Sequence, residues 1–399
     1  MMTGQGPASD RDLLDRVRAA SDALGNWLEQ NDYAGNDPYQ LDNIISQVGG
    51  RPIIGPLMHF ARRTLKPYHA LIPKRLFQAA PAIVMPQALG DSLAGEARQP
   101  DGKVSRRRAA RLLTLLEDTR SPLARNAAWG LPFNWGGTGK HPKHWPTTIT
   151  STIVLTGLLD AIHLLDRDRG LALLESGIRF MLEEAGMIEL PEGACVYFGP
   201  GDTRLIINAS VAAAGLLARA GRVLDRDELV VLAGRAALFA VHHQNPDGSW
   251  FYAPAFRDHP VDTIIDSRHT GYIIEGLIEV NATMGDQRIA DAIGRGWGYM
   301  QAQLIDDDKP RWSPEQTWPI DSHDVAQSIM TALAYGDKSL AKRHMAFAMD
   351  RFYAGEGKFR YKAFENGNNN DAIFIRWTQA PMYKATSKYL ANFSVTERG

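Results

Sequence analysis

The chain has 399 residues, of which 44% are hydrophobic and 22% charged, so it is long enough to bury at least one large core. Its formal net charge of −1 gives no electrostatic reason to expect nucleic acid or an anionic membrane surface as the main partner. A single cysteine excludes an intrachain disulfide framework and fits a reducing compartment.

The N-terminal residues 1–12 are rich in Gly, Ser and Asp and lack the apolar core of a signal peptide. No stretch of the sequence approaches the ~18 consecutive apolar residues that a membrane-spanning helix needs. We therefore expect a cytoplasmic protein that makes no stable insertion into a membrane.

The first helix is predicted over residues 10–30 and is followed by an aromatic, polar turn. The segment 85–104 lacks helical periodicity and is rich in Gly, Ser and Pro, so we predict a long mobile loop there. A helix over 106–117 follows. At its start lies a basic run, interpreted as a solvated helix end with phosphate or membrane contact as the alternative: Lys103, Arg106, Arg107, Arg108 and Arg111.

From there to the C-terminus the chain repeats one pattern. An Ala-, Arg- and Leu-rich helix is followed by a turn, an aromatic residue, a polar cap and a more apolar helix. The apolar helices are predicted to begin near residues 146, 205, 264, 321 and 374, which are 59, 59, 57 and 53 residues apart. Such a period indicates a repeat architecture.

Six helical hairpins with one apolar, small-residue helix in each pair indicate two concentric helical layers. Small residues such as Ala209, Ala213 and Gly215 let inner helices approach closely, while Arg and Glu occur on the outer ones. The predicted fold is therefore all-α, a single (α/α)6 toroid spanning residues 1–399. An open α-solenoid is the alternative.

The start Ile-Asp-Ser occurs twice, at Ile265 and at Ile320, each time with a histidine shortly after the aspartate. Helix capping explains Asp266 and Asp321 but does not explain His269 and His323. The helix dipole disfavours a protonated histidine in a first turn, which suits a neutral base at pH 7. Both histidines are candidates for catalysis or substrate binding, with local structural hydrogen bonding as the alternative.

In such a toroid, the loops that enter the inner helices meet at one end. Aromatic rings beside carboxylates, amides and guanidinium groups suit a sugar, whose C–H faces stack and whose hydroxyls form hydrogen bonds. The predicted catalytic residues are His269, His323, Tyr252, Asp266 and Asp321. The predicted substrate-binding residues are Trp135, Tyr197, Arg204, Asn208, Asp247, Trp250, Trp312, Arg376, Trp377 and Gln379. Packing of hairpin ends is the alternative for each tryptophan, and an amide bonded between helices is the alternative for Asn208.

Motifs for nucleotides, cofactors and metals are missing from the sequence. It contains no Walker loop, no dinucleotide fingerprint, no G-x-S-x-G and no H-E-x-x-H. His141 and His144 are separated by a proline and lack a matching carboxylate or cysteine set. We expect neither a cofactor nor a metal.

Gln244, Asp247, Gly248 and Trp250 resemble the Q-x3-G-x-W pattern of prenyltransferase and terpene-cyclase toroids, in which it ties hairpins together. The D-x-D-D acid motif of those cyclases is absent from the sequence, so this resemblance concerns architecture. Over most of its length the chain resembles bacterial exopolysaccharide- and capsule-cluster proteins, which are similar to the glucuronyl C5-epimerase helical domain. The segments that carry this resemblance are 37–39, 247–250, 266–271, 319–323 and 376–380.

The resemblance implies a polysaccharide setting, and the residues suggest an enzyme acting on a uronate-containing saccharide. For proton abstraction, of epimerase or lyase type, His269, His323 and Tyr252 would serve as acid and base, while Arg204 and Arg376 neutralise the sugar carboxylate. For glycoside hydrolysis, two of four carboxylates would act: Asp247, Asp262, Asp266 and Asp321. The alternatives are a non-catalytic saccharide-binding or scaffold subunit of a synthesis complex, and an isoprenoid-binding toroid.

Overall fold

The computed structural model describes residues 10–40, 81–100, 102–135, 141–254 and 262–393. Twelve α-helices lie in these ranges: α1 Asp10–Gln30, α2 Pro86–Glu96, α3 Lys103–Asp118, α4 Thr148–Asp160, α5 Arg167–Arg179, α6 Ile207–Leu224, α7 Asp227–His242, α8 Ser267–Met284, α9 Gln287–Gln303, α10 Ser322–Tyr335, α11 Lys338–Arg351 and α12 Ala380–Phe393. One π-helical turn, Phe180–Ala185, extends α5, and another, Ile375–Gln379, precedes α12.

The six even-numbered helices form a closed inner ring. Each packs against the next, from α2 through α4, α6, α8 and α10 to α12, and α12 packs back against α2. The odd-numbered helices form the outer layer, where α7 contacts both α6 and α8, and α1 contacts α12. The predicted all-α (α/α)6 toroid is therefore confirmed, and the ring closure excludes the open solenoid.

The prediction of a mobile loop over 85–104 is wrong. Residues 86–96 form helix α2, which begins with Pro86 and has all eleven residues buried. A helix that is enclosed on every side has no polar face, so its sequence shows no amphipathic period. The small residues of this segment, which are also common in loops, let α2 lie close to α4 and α12.

The repeat period is confirmed at the other five inner helices. Four of them begin at residues 148, 207, 267 and 322, and the π-turn before α12 begins at 375. Side chains of Thr147, Asp266 and Asp321 cap three of these helices by accepting hydrogen bonds from backbone N–H groups in the first turn.

Short antiparallel strands lie in the loops that enter the inner helices. The pairs are β1 Ala34–Gly35 with β2 Ile83–Val84, β3 Met187–Leu190 with β4 Gly193–Val196, and β5 Ile305–Asp306 with β6 Lys309–Pro310. A three-stranded sheet is formed by β7 Ile320–Asp321, β8 Lys362–Ala363 and β9 Asn369–Asn370. We call the end of the toroid at which the inner helices begin the mouth.

The basic run at the start of α3 contacts the outer helix α1 and its C-terminal turn. Arg107 and Arg108 both bind Glu29, and Arg111 binds Asp32. Most of its positive charge is therefore used in ion pairs within the chain. Among the described residues, no helix combines the length and the apolar character needed to span a bilayer.

Candidate active site at the toroid mouth

A histidine–aspartate pair lies at the N-terminus of α8. The Asp266 carboxylate accepts the backbone N–H of His269 at 2.9 Å, and its other oxygen lies 2.6 Å from His269 Nδ1. Burial opposes ionisation of Asp266, but the neighbouring His269 holds the pKa of that carboxyl below its usual value. The His269 side chain is 33% exposed, so the pair holds a partly accessible imidazole that is oriented through its Nδ1 atom.

The second predicted histidine, His323, is buried in the first turn of α10. Its backbone N–H donates to Asp321 at 2.8 Å, and its Nε2 lies 3.4 Å from the Tyr272 hydroxyl. Burial, and then the positive charges of Arg268 and Arg376, lower the pKa of His323 well below its usual value. It is therefore a neutral imidazole at physiological pH.

Arg268 binds Asp324 and lies beside Asp321. Its Nη2 is 2.6 Å from Asp324 Oδ1 and 4.0 Å from Asp321 Oδ2, and Asp321 Oδ2 also accepts the Trp377 indole N–H at 2.6 Å. Burial raises the pKa of Asp324, with the charge of Asp321 adding to the effect and Arg268 opposing it. A single guanidinium thus lies between two buried carboxyl groups, and burial raises the pKa of one of them, Asp324.

The predicted roles of Arg376 and Gln379 are corrected. Arg376 is buried and donates two hydrogen bonds to Asp37, at 2.7 and 2.9 Å, so its charge is already neutralised. Gln379 is also buried and bonds the backbone N–H and C=O of Phe359. Both side chains hold the mouth together instead of binding substrate.

Trp377 is buried at the centre of the mouth. Its ring lies 4.5 Å from the Arg268 guanidinium, 4.9 Å from that of Arg376 and 5.1 Å from the Tyr39 ring centroid. Stacked cations and aromatic rings stabilise one another through the ring quadrupole. The predicted substrate contact of Trp377 is therefore replaced by a role in organising these side chains.

The predicted role of Trp250 is likewise corrected, whereas that of the exposed Asp247 stays a prediction. Trp250 is buried, donates its indole N–H to the Ala240 carbonyl at 2.8 Å and packs against Gly296. Asp247 accepts hydrogen bonds from the backbone and hydroxyl of Ser249 within the turn. With Gln244 bonded to the Ala292 carbonyl, this turn ties α7 to α9, as in the hairpin tie that the Q-x3-G-x-W resemblance implied.

An aromatic wall runs along the mouth from Tyr39 to Phe198. Successive ring centroids are 6.4 Å apart for Tyr39 and Trp135, 5.6 Å for Trp135 and His141, 3.7 Å for His141 and Trp145, and 6.2 Å for Trp145 and Phe198. Trp312 is 39% exposed, and its carbonyl accepts the backbone N–H of Ser267. Partly exposed tryptophan faces beside polar groups suit the C–H faces of a sugar.

Arg204 and Tyr252 lie near the His269 side of the mouth. Arg204 is bound to Asp202, with Nη2 2.5 Å from Oδ2, so this guanidinium is also neutralised. The Tyr252 ring lies edge-on to His269 with centroids 5.0 Å apart. Burial raises the pKa of Tyr252, so its phenol remains protonated and able to donate a hydrogen bond.

Three further predicted residues have different surroundings: Asn208 and Asp262 each carry a polar atom that is unbonded among the described residues, and Tyr197 packs beside the core. Asn208 and Asp262 are buried, and within the described part of the chain a side-chain oxygen of each accepts no hydrogen bond. Buried acceptors of this kind are suited to hydroxyl donors. Tyr197 is partly buried and packs against the main hydrophobic core, and its contact with substrate stays a prediction.

Sequence analysis assigned no role to several residues of this site, namely Asp37, Tyr39, Arg268, Tyr272 and Asp324. Helical spacing could have indicated two of them, because a residue three positions after a first-turn residue lies on the same face. Tyr272 follows His269 by three residues, and Asp324 follows Asp321 by three. Asp37 and Tyr39 reach the site only through ring closure, which no local pattern encodes.

No known protein-family model matches the chain, and no curated protein matches it significantly. Solved structures do share its fold. A family 76 glycoside hydrolase α-mannanase from Bacteroides thetaiotaomicron matches with a TM-score of 0.60 and 12% identity, over 78% of this chain and 88% of that chain. Cellobiose 2-epimerase from Bacillus thermoamylovorans matches with a TM-score of 0.62 and 9% identity, over 77% and 88%.

An unsaturated glucuronyl hydrolase specific for heparin matches over nearly the full length of both chains. Its TM-score is 0.60 at 11% identity, over 98% of this chain and 99% of that chain. At such low identities these similarities establish the (α/α)6 fold, and the chemistry has to be argued from the side chains of the mouth.

Proposed function

We propose that this protein is a carbohydrate-active enzyme that moves a proton at a sugar carbon, in an epimerase- or lyase-type reaction. The observation that carries the proposal is the 2.6 Å contact between His269 Nδ1 and Asp266, which orients a partly exposed imidazole at the mouth. A sugar epimerase among the proteins of similar fold supports the same chemistry.

His269 is the proposed base. Its Nε2 takes the proton from a ring or open-chain carbon next to a carbonyl or carboxylate group, and the released electron pair forms an enolate. Asp266 stabilises the resulting imidazolium, because a buried carboxylate beside it favours the charged form. The protonated Tyr252 phenol donates a hydrogen bond to the enolate oxygen. Return of a proton from solvent to the opposite face gives the epimer. The lyase product forms instead when the neighbouring carbon loses its substituent as an alcohol, whose oxygen receives the proton from the imidazolium.

Glycoside hydrolysis is the second candidate, and the raised pKa of Asp324 is the observation that favours it, since a protonated carboxyl can act as a general acid. Three carboxyl groups at the starts of α8 and α10 are already engaged. Asp266 binds His269, Asp321 binds the Trp377 indole, and Asp324 itself binds Arg268, with side-chain exposures of 7%, 8% and 2%. Because these three carboxyl groups are bonded and buried whereas His269 is partly exposed, we put proton abstraction first.

The preference for a uronate loses its main support, because Arg204 and Arg376 are both bound to aspartates. Neutral and acidic sugars are therefore both candidate substrates. The charged groups around Trp377 disfavour an isoprenoid ligand. A non-catalytic binding subunit is the remaining alternative, and it gives no reason for an oriented histidine–aspartate pair.

The test is proton NMR in deuterated water with neutral and uronate oligosaccharides, using wild-type protein, His269→Ala and His323→Ala. We expect solvent deuterium at one sugar carbon and a loss of exchange of ~100-fold or more in His269→Ala. The matched control is His163→Ala, which replaces an exposed histidine between α4 and α5.

New reducing ends without deuterium uptake, abolished by Asp324→Asn, would replace the proposal with hydrolysis. Ligand-induced shifts without turnover of any saccharide would favour the binding subunit.

A further inference from the structure

A second group of histidines lies in the outer layer, separate from His269 and His323. His242 ends helix α7, and His243 follows it directly. Glu192 belongs to the turn between β3 and β4, which packs against α7. One nitrogen or oxygen atom from each of the three side chains lies within 4.8 Å of the other two.

The three side chains come from two different elements, and their polar atoms lie close together. His243 Nε2 is 3.8 Å from Glu192 Oε1, and the two imidazole rings meet edge to face with centroids 5.0 Å apart. His243 also packs edge-on against Phe239 at 4.4 Å, which restricts its ring. His242 is exposed and can rotate without disturbing the core.

The β3–β4 hairpin is held in place beside these residues. Arg235 donates hydrogen bonds to the carbonyls of Leu190 and Gly193, at 3.0 and 3.2 Å. Gly193 lies directly on α7, since a Cβ there would be 2.5 Å from the Phe239 nitrogen. The turn that carries Glu192 is thus fixed against the end of α7 by the hairpin itself.

We propose that Glu192, His242 and His243 form a binding site for a divalent transition metal, with Zn²⁺ as the best fit. Two imidazoles and one carboxylate are a common zinc ligand set, with bonds of about 2.0–2.2 Å. Ligand atoms in a tetrahedral site built from those bonds lie about 3.3 Å apart. Side-chain rotation of His242 and Glu192 would bring the three ligand atoms to that spacing, and water would supply the fourth ligand.

The metal would join the β3–β4 hairpin to α7. Strand β4 continues into the loop that carries Phe198 of the aromatic wall and Arg204, so the metal would also stabilise that side of the mouth. This role is structural, and it does not depend on the proposed sugar chemistry.

The test is isothermal titration calorimetry of the untagged, chelator-stripped protein with zinc chloride alone. We expect wild-type protein to bind one zinc ion through this site, and His242→Ala and Glu192→Gln each to weaken that binding at least ~10-fold. The control is again His163→Ala, which should bind zinc like wild type. Circular dichroism of each variant shows that the fold is retained.

A second measurement is thermal unfolding with and without zinc. Because a ligand that binds only the folded state raises its stability, zinc should raise the Tm of wild type and of His163→Ala but not that of His242→Ala. The proposal is overturned if wild type binds no zinc, or if His242→Ala and Glu192→Gln bind it as tightly as wild type.

Discussion

An aspartate pairs with each of three arginines at the mouth. Sequence analysis predicted Arg204 and Arg376 there, and the structure adds Arg268. Arg376 binds Asp37, Arg204 binds Asp202, and Arg268 binds Asp324. Removing one partner of such a buried pair leaves an uncompensated charge, which is costly. These arginines therefore stabilise the mouth and position its aromatic rings, and His269 is left as the accessible titratable group of the proposed reaction.

One buried histidine outside the mouth makes stability depend on pH. His344 of α11 is enclosed, and its Nδ1 lies 2.8 Å from the Ser328 hydroxyl of α10. Burial lowers the pKa of His344 to about 3. The folded state thus resists protonation at pH values where the unfolded chain, with a histidine pKa of about 6.5, takes up a proton.

We expect this difference to reduce the free energy of unfolding as pH falls from about 6.5 to about 3, with a slope approaching 1.4 kcal/mol per pH unit from this residue. The measurement is urea denaturation of wild type and His344→Asn at several pH values in that range. The wild-type curve should fall more steeply with acidity. Parallel curves for the two proteins would contradict the prediction, and His163→Asn should follow wild type.

Among the elements, helix α2 shows why a helix that is buried on every side is not recognised from its sequence pattern. Its residues contact α4 on one side and α12 on the other, so polar residues such as Asp91 are buried and bonded, here to Lys384. A Cβ added at Gly90 would lie 2.7 Å from the Val154 Cα and 2.8 Å from the Ile153 carbonyl oxygen. Backbone atoms of α4 therefore require glycine at this position.

We expect Gly90→Ala to destabilise the protein by roughly 2–4 kcal/mol, because α2 and α4 would have to separate. The matched control is Gly298→Ala in the outer helix α9, where an added Cβ meets no atom within 4 Å. That control should stabilise the protein by about 0.5–1 kcal/mol, because alanine favours a helix over glycine. Both values follow from chemical denaturation, and equal effects of the two substitutions would refute the close approach.

At the scale of the whole molecule, ion pairs link neighbouring parts of the inner ring at the end opposite the mouth. Asp160 at the end of α4 binds Arg98, which follows α2, and Arg219 of α6. Burial opposes ionisation of Asp160, but the two arginines lower the pKa of its carboxyl to about 2. One carboxylate thus connects three consecutive hairpins.

We expect Asp160→Asn to lower the free energy of unfolding at pH 7 by about 3 kcal/mol, because two partly buried arginines lose their partner. The contribution of Asp160 is present above the unfolded pKa of about 3.9 and is lost as pH falls towards 2. Denaturation at pH 7 and in acid should therefore show the two proteins converging at low pH.

The control for Asp160→Asn is Asp350→Asn. It breaks an ion pair with Arg16 whose side chains are 38% and 62% exposed, so its effect should stay below about 1 kcal/mol. A loss in Asp160→Asn no larger than in this control would show that the far end of the ring does not depend on the buried pairs.

The sequence by itself determined the helical repeat, because the hairpins after α3 repeat a turn and an apolar helix, three of them with a side-chain cap, and these are local interactions. It also determined the caps Asp266 and Asp321 and the positions of His269 and His323 beside them. The enclosed helix α2 was missed, since burial on every side removes the amphipathic period.

Only the tertiary structure decided which side chains meet at the mouth. Asp37 and Arg376 are 339 residues apart in sequence and bond because the ring closes, and this pair changes Arg376 from a predicted substrate clamp into a buried ion pair. Trp250 and Gln379 are packing residues because nearby segments of the folded chain bring the Ala240 and Phe359 backbones within hydrogen-bonding distance. The sequence places a residue at the mouth, but its role depends on the partners that the tertiary structure brings to it.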